Sequence, residues 1–272
     1  MSDVPDKVLS QQLYDAAMQL GDAAAQVTLR YFRSRDLSAD NKALAGFDPV
    51  TVADREAEQA MREILARIRP DDGILGEEYA SVAGRSGLTW VLDPIDGTRG
   101  FLSGTPTWGT LIAVCDDTGP IVGMIDQPHV GERFLGLPGG AKLLHRGDSS
   151  PMRVSATTRL DDAILFSTFP EIGTPDERAA FTRVADQVRL VRYGMDCYAY
   201  GLLALGQIDL VIEAGLNAYD IAAPVAVIEA AGGIVTDWRG GPVWQGGNAV
   251  AAATPELHAA ALALLQDGAG GP

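Results

Sequence analysis

The stretch Asp93-Pro94-Ile95-Asp96-Gly97-Thr98-Arg99 sets two carboxylates three residues apart, directly after the apolar run Trp90-Val91-Leu92. Proline and glycine fix the bend, so both carboxylates can converge on one cation. A helix or turn opening at Gly97 would leave backbone N–H groups facing an anion. Gly76-Glu77-Glu78 lies just upstream, and Asp220 stands at the start of an Ala/Val/Ile-rich segment. Read one at a time, these are an Asp-rich β-turn, a solvated glutamate pair and a helix N-cap. Read together, Glu77, Asp93, Asp96 and Asp220 form a carboxylate set that would repel itself, and partly protonate, unless cations neutralise it. Oxygen-only ligands with no His or Cys nearby select hard Mg²⁺ over zinc. His129, His145 and His258 lie outside every motif.

Elements of two kinds must position these groups. Apolar residues at helical spacing predict helices over 7–33 and 51–69, the second opened by Thr51 with Asp54 three residues on, a capping box with Asp in place of Glu. Short strands are expected at 73–75, 89–92, 107–115, 121–125 and 133–137, punctuated by Gly, Pro and Asp as in an antiparallel meander; the first Asp motif would lie where a strand ends at Asp93, stopped by Pro94. From 161 onward strands (164–167, 190–192, 208–213, 234–236, 249–252) alternate with helices (175–187, 197–205, 221–231, 254–266), Thr174 and Pro175 opening the first of these. The expected fold class is α/β in the α+β layered sense, with helix and sheet layers alternating. It divides into an N-terminal α+β subdomain (1–150) with the acidic motifs and a C-terminal α/β subdomain (151–272) completing the site, with a seam near 147–159.

Composition narrows the partners. The chain has 272 residues, a formal net charge of −15 and no basic stripe, which disfavours a nucleic-acid partner. No segment is long and apolar enough to span a bilayer, and the acidic start lacks the features of a signal peptide. Two isolated cysteines, Cys115 and Cys197, offer no disulfide framework, so the expectation is a soluble cytoplasmic protein. So acidic a chain could hold an anionic ligand only where cations invert the local field.

Gly76-Glu77-Glu78, then Asp93-Pro94-Ile95-Asp96-Gly97-Thr98, then Tyr219-Asp220 before an Ala-rich helix ending in Gly232-Gly233, closely resemble in content and order the inositol monophosphatase superfamily. The resemblance runs from the first helix to Gly247-Asn248. It implies the layered fold of inositol monophosphatases and fructose-1,6-bisphosphatases, a homodimer, and Mg²⁺-dependent hydrolysis of a small-molecule phosphate ester using two or three ions. Carried over, Glu77, Asp93 and the Ile95 carbonyl would hold one ion, and Asp93, Asp96 and Asp220 a second. Thr98 would pair with Asp54 and help orient the attacking water, Glu77, Thr98 and Asp54 forming the catalytic set; Gly97 and Thr98 would offer N–H groups to the phosphate. Lys42 corresponds to a loop lysine of the family.

The spellings Asp96-Gly97-Thr98-Arg99, Trp108-Gly109-Thr110, Gly194-Met195-Asp196-Cys197-Tyr198, Glu213-Ala214-Gly215-Leu216 and Thr236-Asp237-Trp238 are most similar to the histidinol-phosphate phosphatase branch, with Met195 where that branch usually has glycine. Histidinol phosphate carries an ammonium and a titratable imidazole, which Asp196 and Glu213 would pair with if they line the pocket. Arg99 is the one basic residue inside the core motifs, which argues against a bisphosphate. The substrate-binding set is then Gly97, Thr98, Arg99, Asp196, Glu213 and Asp220. An inositol-1-phosphate phosphatase is the alternative, and a non-catalytic binding member is a third reading. Asp196 could also simply cap the helix that follows it.

Overall fold

The computed structural model describes residues 7–35, 37, 39–41 and 49–267. Helix α1 (Lys7–Tyr31) buries Leu13, Ala16, Ala17, Leu20 and Ala24, a three-four spacing that puts one face inward. Strands β1 (Ala39–Asn41) and β2 (Pro49–Thr51) pair ahead of α2 (Val52–Ile68), which opens on the expected capping box between Thr51 and Asp54. Lys42 lies outside the described residues.

A seven-stranded sheet follows, ordered β3 (Gly73–Gly76), β4 (Thr89–Asp96), β5 (Gly109–Cys115), β6 (Pro120–Gln127), β7 (Glu132–Leu137), β8 (Gly140–His145) and β9 (Asp148–Met152), with the short α3 (Thr98–Ser103) between β4 and β5. Leu20 and Ala24 of α1 and Met61 and Leu65 of α2 cover one face of this sheet, against Trp90, Leu92, Ile112 and Met124. A second, five-stranded sheet is ordered β11-β10-β12-β14-β13. It is built from β10 (Ile164–Ser167), β11 (Leu190–Tyr193), β12 (Leu210–Asn217), β13 (Ile234–Asp237) and β14 (Gly246–Ala252). Its helices are α4 (Pro175–Ala185), α5 (Tyr198–Ala204), α6 (Ala218–Ala230) and α7 (Pro255–Gln266).

The layers run helix, sheet, helix, sheet, helix. Helices α5 and α6 lie between the sheets in one apolar cluster that joins Leu111, Ile125 and Phe134 to Val211, Val235 and Ala251. Helices α4 and α7 pack outside the second sheet through Phe181, Val184, Leu257 and Ala261. Helix α6 is apolar around most of its girth, as a helix sandwiched by two sheets must be. It also approaches the first sheet closely: a Cβ added at Gly136 would come within 2.3 Å of the Ala226 carbonyl oxygen.

The structure departs from the sequence-based expectation in four places. Strand β3 pairs with β4 in parallel, so only β4 through β9 form the antiparallel meander. Strand β4 does not end at Asp93 but continues to Asp96, with a register shift between them that takes Pro94 out of the ladder; Thr110 Oγ1 donates to the Pro94 carbonyl at 2.8 Å. Strands β8 and β9 were not anticipated, and β9 occupies part of the expected seam. Helix α6 begins at Ala218 rather than at 221, because Asn217 is its N-cap and Asp220 the third residue of a capping box.

Candidate active site

The irregularity in β4 turns Asp93 and Asp96 to the same side. Asp93, only 2% exposed, accepts the Ile95 N–H on Oδ1 at 3.0 Å. Asp96 accepts the Cys197 N–H on Oδ2 at 2.6 Å, which ties the end of β4 to the start of α5. Asp220 comes from the first turn of α6, where its Oδ2 accepts the Asn217 N–H at 2.6 Å. One carboxylate oxygen from each of Asp93, Asp96 and Asp220 lies within 4.8 Å of the others.

Glu77 follows β3 and is held by its neighbours. Glu58 of α2, fully buried and paired to Arg62, accepts the N–H of Glu78 at 2.7 Å and of Tyr79 at 3.3 Å. A Cβ on Gly76 would lie 2.0 Å from Glu58 Oε1, so this close approach requires the glycine. Glu58 escaped the sequence reading because a charged residue on a helix reads as a solvated face.

Glu77, Asp93, Ile95, Asp96, Gly97 and Thr98 line one cavity of about 320 Å³. Arg99, Asp196 and Asp220 complete its polar lining, joined by Phe169, Asn217 and Tyr219, which sequence reasoning did not single out as site residues. Gly97 adopts the left-handed conformation, φ 83°, and starts α3 without a side-chain cap. Glu213 sits in an adjoining recess of about 220 Å³ that shares Asp96, Phe169, Asp196 and Asp220 with the first. The one signal for Phe169 is its position just past the C-terminal end of β10, where open α/β sheets place ligands.

Two pairings differ from those considered for the sequence. Thr98 Oγ1 donates to the Ile95 carbonyl at 3.1 Å and not to Asp54. Asp54 instead accepts the N–H and hydroxyl of Thr51 at 2.8 and 2.5 Å, leaving its buried Oδ1 without a partner; it lies in the capping box of α2 and lines neither cavity. Asp196 is not the cap of α5: that position is Cys197, and the Asp196 side chain reaches across to Thr107, whose hydroxyl donates to Oδ2 at 3.2 Å.

Burial, with Glu77, Asp96 and Asp220 close by, holds the Asp93 carboxyl well above the usual range. Asp96 is raised in the same way by burial, Asp196 and Asp220. Burial also raises Asp196, and lifts Glu213 to about 8 against the Thr168 N–H and hydroxyl it accepts at 2.6 and 2.9 Å. Carboxylates this close and this buried fit a hard divalent cation: the donors are all oxygens, and the charge they must shed is what such an ion neutralises. His129 packs edge-on against Phe32, and His258 shares a hydrogen bond with Thr236; neither lines these cavities, nor does His145.

Layered sheets with an acid cluster at their junction define a class of phosphatase. The chain belongs to the inositol monophosphatase family, whose model matches residues 9–269. It is 41% identical over 258 residues to the "Bifunctional phosphatase IMPL2, chloroplastic" of Arabidopsis thaliana, covering 91% of this chain and 73% of that one. It is 36% identical over 255 residues to the histidinol-phosphatase of Mycobacterium tuberculosis, covering 93% and 97%. Among solved structures, an inositol monophosphatase from Zymomonas mobilis superposes with a TM-score of 0.81 at 40% identity, covering 93% of this chain and 96% of its own. Relatives of both names thus stand at similar distance. Among the described residues no helix is long and apolar enough to cross a membrane.

Proposed function

We propose that this chain is a Mg²⁺-dependent phosphomonoesterase whose preferred substrate is L-histidinol phosphate, released as L-histidinol and phosphate. The observation that carries the substrate choice is Asp196. Its carboxylate lines the acid-cluster cavity and the Glu213 recess, and its hydrogen bond goes to Thr107 rather than to a helix end. Two acids beyond the metal-side carboxylates, Glu213 buried and Asp196 half-buried, suit a head group bearing nitrogen cations. The name of the Mycobacterium tuberculosis relative supports the same reading. An inositol-1-phosphate phosphatase is the second reading, favoured by the name of the Zymomonas mobilis structure.

In this reading Glu77, Asp93, Asp96, Asp220 and the Ile95 carbonyl hold two or three ions. Bound there, Mg²⁺ supplies a water of lowered pKa and neutralises charge on the leaving oxygen. Gly97 and Thr98 offer backbone N–H groups to the phosphate from the uncapped start of α3. Glu77 and the Thr98 hydroxyl orient the attacking water, while Asp54 serves as the capping-box acid of α2. Arg99, with its guanidinium 5.0 Å from the Phe169 ring centroid, stands at the cavity wall as a counter-charge for the ester. The reading extends to a cytoplasmic homodimer acting in histidine biosynthesis.

Phosphate release from L-histidinol phosphate, inositol 1-phosphate and glycerol phosphate, each with Mg²⁺ and with EDTA, tests it. The expected result is the highest kcat/KM for histidinol phosphate and loss of all activity in EDTA, restored by Mg²⁺. Full activity in EDTA, or a preference for inositol phosphate, would overturn the corresponding half of the proposal.

A further inference from the structure

The recess beside the acid cluster has at its wall a group that the mechanism leaves unused. Tyr200, on α5, is 4% exposed, lines this recess, and its hydroxyl has no hydrogen-bond partner. An unpaired buried hydroxyl is costly and uncommon, and phenols inside proteins normally find a partner. Tyr200 shares the recess with Glu213, and after burial that carboxylate acts most strongly on the phenol. Asp96, Asp196 and Asp220 line the side that the recess shares with the acid cluster, and the apolar part of its wall is Phe169, 43% exposed, Ala214 and Leu216. The Arg99 guanidinium over the Phe169 ring fixes that ring as a side wall of the recess.

A ligand that fits here presents polar atoms to Tyr200 and Glu213 and a flat, apolar face to Phe169. A polyol ring would strand hydroxyls against Phe169 and Leu216. We propose that Tyr200 is a specificity-determining residue: its hydroxyl and the Glu213 carboxyl take the two ring nitrogens of an azole carried by the phosphate ester, with Phe169 against the ring face. One nitrogen donates to Glu213, the other accepts from the phenol. This rests on the histidinol-phosphate reading above and extends it from the charged head group to the ring.

The test compares Tyr200→Phe with the wild-type enzyme on three esters. L-Histidinol phosphate presents the azole; L-phenylalaninol phosphate keeps the ammonium and a flat ring but lacks the ring nitrogens; inositol 1-phosphate lacks both. The wild type should favour the imidazole ester over the phenyl ester, and Tyr200→Phe should lower that ratio of kcat/KM by about tenfold, mostly through KM, as expected for one lost neutral hydrogen bond. The same substitution should not lower the Tm of the unliganded protein, because no bond within the fold is lost. A fall of several degrees would mean that the hydroxyl has a structural partner, and would overturn the inference. A wild type that prefers the imidazole ester, with a ratio unmoved by Tyr200→Phe, overturns this inference alone. A wild type that prefers inositol phosphate overturns the substrate reading and this inference with it.

Discussion

Replacing Asp96 by asparagine should move stability and activity in opposite directions. The carboxylate accepts the Cys197 N–H at 2.6 Å, and an asparagine carbonyl in the same place can keep that bond. What the change removes is charge at a position where burial, Asp196 and Asp220 already push the carboxyl well above its usual range. Relief of a buried, repelled carboxylate should stabilise the metal-free protein by roughly 1–3 kcal/mol near neutral pH, the scale of a buried polar group without a compensating partner. For a chain of this size that is an increase in Tm of about 2–10 °C in EDTA. The added amide N–H₂ also turns a repelling neighbour of Asp220 into a donor. With Mg²⁺ the order should reverse. The wild type gains stability from ligand binding while the variant, short of one negative ligand, gains less. Turnover at saturating Mg²⁺ should fall by at least about a hundredfold, the scale of losing one electrostatic contributor to the transition state. Thermal unfolding with EDTA and with Mg²⁺, together with phosphate release, reads all three quantities. Wild-type turnover in Asp96→Asn, or a lower Tm than wild type in EDTA, would refute the assignment of Asp96 as a repelled metal ligand.

Asp196→Asn should lower kcat/KM for histidinol phosphate by about ten- to a hundredfold, the range of a charged hydrogen bond, with a far smaller change for glycerol phosphate; equal losses on both would deny Asp196 a role in head-group recognition. The backbone should tolerate the change, since Asp196 has a φ of 46° and asparagine enters that region as readily as aspartate. Stability of the metal-free protein should rise as pH is lowered from about 8.5 to 5, because Asp54 and Glu213 are raised to about 6 and about 8. Their contribution is complete below the unfolded values of 3.8 and 4.5 and is lost as pH climbs through the folded ones. A flat or opposite Tm profile in EDTA would contradict this. Gly136→Ala should destabilise by about 1–3 kcal/mol or more, measured by denaturant unfolding, because its Cβ would press into the backbone of α6; a neutral result would mean that α6 does not pack as described.

What the sequence made legible was local. The convergence of Asp93 and Asp96, the Thr51–Asp54 capping box, the Thr174 cap with Pro175 behind it and the run of helices and strands after 161 all appear, because each depends on residues within a turn or two of one another. What stayed hidden depends on groups far apart in the chain. The Cys197 N–H on Asp96 and the Thr107 hydroxyl on Asp196 join positions 101 and 89 residues apart, and no spacing rule reaches across that. Strands β8 and β9 lack an apolar run: β9 is exposed except for Met152, and β8 mixes Lys142 and His145 with its buried residues, as the outer strands of a sheet can. The parallel pairing of β3 with β4 was hidden because the connection over 77–88 contains no helix, the usual sign of a crossover. Pro94 looked like a strand terminator because a proline cannot donate to the ladder; the register shift that accommodates it also aims two carboxylates at one point.

The same geometry accounts for an acidic protein that takes an acidic ligand. Asp93 and Asp96 come from the first sheet, Asp220 from the helix between the sheets, and Glu77 from the loop after β3 held by Glu58 of α2. Repulsion in this set therefore acts between layers as well as within β4, and each layer is otherwise fixed by its own apolar contacts. The fold keeps the carboxylates together against that repulsion, so the site is preorganised for positive charge before any arrives. Only with that charge in place does the field at Gly97 and Thr98 become one a phosphate can enter. Affinity for the ester should accordingly depend on divalent cation even for the product phosphate, where no bond is made or broken. The acids beyond it, Asp196 and Glu213, supply no positive charge for a second anion, which favours a head group that is cationic or rich in donors.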